Sequence, residues 1–108
     1  MVLINIKLEK NKNYIKKYTS TGHTDKITKG YNVCALISLL EQIFIVSLKE
    51  IIKLDFASKL SKGVFEYNLK QIKEKDIAGY IILSKNLFLG IKLLKKKFAG
   101  QIKLKIGD

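Results

Sequence analysis

Apolar and polar residues alternate at the start of the chain, with Val2, Ile4, Ile6 and Leu8 on one face and Asn5, Lys7 and Glu9 on the other. A period of two is that of a strand buried on one side. The polar run KNKN at 10–13 supplies a turn, and Tyr14 to Thr21 is rich in β-branched and aromatic residues. It predicts a second strand, paired antiparallel with the first. The stretch TDKITKGY at 24–31 carries polar and glycine turn signals and predicts an exposed loop. From Asn32 to about Leu54 the spacing becomes helical and, in its first half, apolar nearly all round, as in a helix held between layers. Asn32 suits its N-cap.

A polar connection, DFASKLSKG, leads into VFEYNLKQI, where alternating Phe65, Tyr67 and Leu69 predict a third strand. Helical spacing returns from Asp76 to about Ala99, set by Ile77, Tyr80, Ile81, Leu87, Phe88, Ile91, Leu94 and Phe98. Lysines gather in its last turns, where the helix dipole favours cations. The final GQIKLKIGD alternates once more and predicts a closing strand. The order β-β-α-β-α-β predicts an α+β fold, a mixed or antiparallel sheet with two helices packed on it.

Composition narrows this picture. A length of 108 residues fits a single domain over 1–108, and 47% hydrophobic against 28% charged residues describes a chain that folds. The formal net charge of +12 directs attention to an anionic neighbour such as nucleic acid, a ribosome or a membrane surface. All 21 basic residues are lysine, so the planar guanidinium fork that reads guanine edges is missing. The start lacks the zones of a signal peptide, and the apolar stretch Val33 to Leu48 contains Glu41 and Gln42 and is short for a span of roughly 20 residues. No membrane association is expected. A single cysteine forms no internal disulfide and points to a reducing, cytoplasmic compartment.

The candidate chemistry lies at the single histidine, His23, and the single cysteine, Cys34. His23 ends a predicted strand, and Cys34 falls in the first turn of the helix after the loop. Backbone N–H groups and the positive dipole end there favour a thiolate, and the same amides suit an oxygen that gains charge when sulfur attacks a carbonyl. A neighbouring imidazole would hold the thiolate and pass a proton to the leaving amine. The competing account is a small buried hydrophobe in the apolar run VCALISLL, with His23 a polar strand terminus and Gly22 and Gly30 ordinary turn glycines. One Cys, one His and Asp25 fall short of a zinc ligand set, and GHTDKITKG lacks the pattern of a phosphate loop. No metal or cofactor is expected.

Gly22-His23, Gly30, the triplet VCA at Val33 to Ala35, and Ser38 resemble the motif of the ribosomal-processing cysteine protease family, Prp. Overall length and element order agree with that family as well. The resemblance implies a thiol endopeptidase that removes the short N-terminal extension of bacterial large-subunit ribosomal protein L twenty-seven during ribosome assembly. It implies His23 and Cys34 as a catalytic dyad, a homodimer, and a mobile loop over 24–33. Many members carry an acid three residues before the cysteine, where this chain has Tyr31. Asn32 or Asp25 is then left to orient His23, and Ala35 to support the oxyanion. The alternative function is a lysine-rich protein that docks on ribosomal RNA without chemistry.

Overall fold

A computed structural model describes residues 1–10, 13–23 and 27–107. Its elements are β1 (Val2–Leu8), β2 (Ile15–Gly22), β3 (Ile27–Thr28), β4 (Tyr31–Asn32), α1 (Val33–Glu50), β5 (Asp55–Ser61), β6 (Val64–Gln71), α2 (Ile77–Lys97) and β7 (Ile102–Gly107). Single 3-10 turns, Glu74–Asp76 and Ala99–Gln101, flank α2. Five strands form a mixed sheet in the order β5-β6-β2-β1-β7. Neighbours pair antiparallel except β1 and β7, which run parallel with Val2 opposite Ile102. The α+β fold with two helices on a mixed sheet is the architecture expected.

Both helices lie on one face of the sheet. The alternation of β1 buries Val2, Ile4 and Ile6 there, and Tyr18, Phe65, Tyr67 and Ile102 join them from the neighbouring strands. From above, α1 contributes Ile37, Phe44 and Leu48 and α2 contributes Tyr80, Leu87 and Ile91. Phenols in this core carry hydroxyls that burial would penalise if they stood alone. Tyr67 and Tyr80 bond to each other at 2.7 Å, and Tyr80 donates to the Ile15 carbonyl at 2.5 Å. Ser84 of α2 accepts the Ile15 N–H at 3.3 Å, so α2 is fixed to β2 by polar as well as apolar contacts. The segment Glu74–Lys97 is long and apolar enough to cross a membrane by length and composition alone. In this fold the segment is α2 with its leading turn, and one side of it, including Tyr80 and Ser84, is buried in the core.

Four features differ from the sequence pattern. The helix expected between layers, α1, is covered on one side only, with Leu39, Ile43 and Val46 exposed on the other. The polar connection DFASKLSKG contains a whole edge strand, β5, in hairpin register with β6 from Phe56 opposite Leu69 to Ser61 opposite Val64. The expected loop over 24–31 contains a small hairpin: Ile27 opposes Asn32 and Thr28 opposes Tyr31, around Lys29 and Gly30 with φ of 54° and 83°. Two positive φ values in succession match the twist of a tight hairpin, and glycine at the second adopts one without strain. Finally, α1 stops at Glu50, not near Leu54. Lys53 turns the chain at φ 49°, and the Leu54 N–H folds back to the Leu48 carbonyl at 3.0 Å. Two residues of the KNKN turn, 11 and 12, lie outside the described residues.

Candidate active site

Four segments converge at one end of the sheet. β2 ends in Gly22-His23, β1 begins beside it, the β5–β6 hairpin curls up from the other side, and α1 starts above. They enclose a cavity of about 180 Å³ whose lining includes His23, Cys34, Ser38, Glu41, Ser20 and Phe65. The two residues singled out in the sequence therefore line one cavity, although eleven positions separate them. Cys34 is half-buried and His23 exposed, and both line the cavity.

The backbone explains both placements. Gly22 sits at φ 109°, and a Cβ there would collide with the Met1 carbonyl. Only glycine lets β2 pass so close to β1 and still turn His23 toward the cavity. Its N–H bonds to the Gly63 carbonyl at 3.1 Å, tying the histidine strand to the β5–β6 tip. Asn32 caps α1: its Oδ1 accepts the Ala35 N–H at 3.1 Å. The expected N-cap is thus present, and the two residues considered for orienting and oxyanion support, Asn32 and Ala35, are bonded to each other. Asp25 lies outside the described residues.

Tyr31 and Thr28 anchor the small hairpin that leads into α1. The Tyr31 ring meets Phe98 edge-on at 6.4 Å, and Gln101 Nε2 donates to Thr28 Oγ1 at 2.6 Å. Residues 27–33 are accordingly held against the end of α2. Gly30 serves the turn of this hairpin and stands away from the cavity lining.

Glu41 is the residue that sequence reasoning overlooked. It follows Cys34 by seven positions, so Cys34, Ile37, Ser38 and Glu41 share one helical face over the cavity. The residue is 4% exposed, and its carboxylate accepts the Tyr18 hydroxyl at 2.5 Å. Burial raises its pKa, and hydrogen bonds from Ser20 and Tyr18 oppose that rise. Tyr18 is pushed well above the usual phenol range by burial and by the Glu41 charge, so it remains a donor. The cavity thus has a thiol and an imidazole at its mouth and a hydrogen-bonded acid at its base. Among the described residues no cluster of His, Cys, Asp and Glu suited to a metal ion occurs.

Residues 1–103 match the family described as cysteine protease Prp. The chain belongs to that family. Among solved structures, the Prp fold of this chain is similar to SMU.848 from Streptococcus mutans, with a TM-score of 0.83 and 20% identity over 100% of this chain and 96% of that one. It is similar also to the essential ribosomal processing protease Prp from S. aureus in complex with a covalently linked product peptide. There the TM-score is 0.80 at 16% identity, covering 98% of this chain and 99% of that one. A complex of the S. aureus protease with a substrate peptide gives a TM-score of 0.81 at 12% identity, with the same coverage. No curated protein matches the sequence. Membership in the Prp family makes this chain a cysteine protease by descent, and its sequence contains one cysteine, Cys34.

Proposed function

We propose that the protein is a Cys-His endopeptidase in which Cys34 is the nucleophile and His23 its acid-base partner. The observation that carries this reading is the shared cavity of about 180 Å³ that takes His23 from β2 and Cys34 from the first turn of α1. The Cys34 thiolate attacks the scissile carbonyl carbon, and the new oxyanion faces the amide end of α1. His23, carrying the proton taken from the thiol, gives it to the amine as the C–N bond breaks. Water, deprotonated by His23, then releases the acyl group and restores the thiol. An extended peptide has room to enter between the exposed His23 and the β5–β6 tip, where Leu60 is 68% exposed at the cavity wall.

The proposed substrate is the N-terminal extension of bacterial large-subunit ribosomal protein L twenty-seven, and the proposed setting is the cytoplasm, close to assembling ribosomes. Family membership supports it, as do the words that describe the S. aureus relative, a ribosomal processing protease seen with substrate and product peptides. The test is incubation of the protein and its Cys34→Ala variant with the extended ribosomal protein, followed by mass spectrometry. Release of the N-terminal peptide by the first and not by the second is expected. Cleavage by both, or by neither, would sink the reading.

A homodimer is part of the proposal, with the second copy packed on the outer surface of the two helices. That surface presents Leu39, Ile43 and Val46 of α1 and Ile82, Leu89 and Leu93 of α2, each more than half exposed. Six large apolar side chains on one helical layer exceed the scattered exposure normal for a monomer.

A further inference from the structure

Among the described residues no element covers the face of the sheet opposite the helices, and the strand register gives the side chains it presents. Across β5-β6-β2-β1-β7 one row runs Ser61, Val64, Thr21, Leu3, Lys103. The next runs Lys59, Glu66, Thr19, Asn5, Lys105, and the third Ala57, Asn68, Lys17, Lys7, Gly107. Five lysines and one carboxylate occupy these rows. All five lysines are exposed. The charge thickens at the end of the sheet remote from Cys34. There Lys7, Lys10, Lys16 and Lys17 line a groove of about 380 Å³ together with Asn68 and the helix-facing Leu8 and Leu69. Lys16 is present because the β1–β2 register shifts between Lys7 and Leu8, which adds a residue to β2 and places two consecutive lysines at the groove.

We infer that this groove and the lysine rows beside it form a docking surface for the phosphate backbone of double-helical RNA. Three observations select a double-helical polyanion. The surface is strongly cationic and concave at its most charged point, which suits a polyanion. Its three rows contain no aromatic side chain, so it offers no platform on which the bases of a single strand could stack. Its cations are all lysine, point charges that neutralise phosphates without reading base edges. Groove and catalytic cavity lie at opposite ends of the same strands. Val2 lines the cavity and Lys7 the groove, five residues apart, or ~17 Å along an extended strand. RNA seated on this face leaves the peptide entrance open. The choice of RNA over other polyanions rests on the ribosomal setting proposed above, and the surface itself does not depend on the peptidase chemistry.

The test measures binding of a labelled 20-base-pair RNA duplex of mixed sequence by fluorescence anisotropy over a potassium chloride series. Four neutralised phosphates predict that affinity falls by about a hundredfold between 50 and 200 mM salt. The variant Lys7→Gln, Lys10→Gln, Lys16→Gln, Lys17→Gln is expected to bind at least ~10-fold more weakly with a salt slope flatter by about 3.6. A charge-matched variant on the helical layer, Lys85→Gln, Lys92→Gln, Lys96→Gln, Lys97→Gln, should stay within about twofold of the parent. Circular dichroism melts establish that both variants fold. Equal loss of binding in the two variants overturns the proposal, as does tighter binding to a single strand of the same length or to phosphatidylglycerol vesicles. Peptide cleavage is followed in parallel and is expected at the parent rate in the groove variant. If the parent binds duplex as described but cleaves nothing, the peptidase reading falls and the docking surface stands.

Discussion

At the scale of single residues, Glu41 carries the sharpest consequence of burial. Its carboxyl titrates above its usual value because the folded protein disfavours the charge. Between the unfolded pKa near 4.5 and the higher folded value, the folded state therefore holds more protons than the unfolded one. Stability falls as pH rises through that window and stays lowered above it. Glu41→Gln keeps an oxygen that accepts the Tyr18 hydroxyl and carries no charge. It is expected to raise the urea midpoint at pH 7, with the gain shrinking toward zero as the pH drops below 4.5. An equal gain at both pH values would mean that the carboxylate is not the source of the cost. If the natural residue is retained despite that cost, its place at the base of the cavity is the reason to seek. A faster or slower cleavage rate in the same variant reads that role directly.

At the scale of elements, the amino end of α1 is the joint on which the proposed chemistry turns. Asn32 closes the first turn through the Ala35 N–H, and Cys34 sits inside that turn. Removing the cap with Asn32→Ala should cost about 1 kcal/mol in denaturant unfolding, and Asn32→Ser should recover most of it. Peptide cleavage is expected to follow the same order, because a frayed turn no longer fixes the sulfur over the cavity. This cap was legible from the sequence, as were β1, β6, β7 and both helices, since each shows one hydrophobic period over enough residues to be decisive. β5 was not. Its inward positions are Phe56, Ser58 and Leu60, and an edge strand with little burial leaves its alternation faint. The β3–β4 hairpin has two residues per strand, too short for any period to register. Glu41 was visible only as a charge interrupting an apolar run. Its spacing of seven from Cys34 places it on the same side of α1, and that signal was available. Convergence of His23 with Cys34 needed the register of Gly22 against Val2 and Gly63, which no local pattern contains.

At the scale of the whole molecule, the two layers present opposite surfaces. The helical side is apolar at Ile43 and Leu89, whereas the bare side of the sheet is lined with lysine. Dimerisation through the helices would leave the basic faces pointing away from each other, one on each copy. Ile43→Glu together with Leu89→Glu is expected to convert a dimer to a monomer in light scattering coupled to size exclusion, with the secondary structure intact. A parent protein that elutes as a monomer at tens of micromolar would remove the homodimer from the proposal.

The parallel pairing of β1 with β7 also dictates an order of events during synthesis. Ile102, which lies opposite Val2, is added to the growing polypeptide a hundred residues later. Until then one edge of the first strand has no partner, even though β2 has long since closed the other. Until β7 has emerged the sheet cannot be completed, so its closure is a late event whatever the speed of the first hairpin.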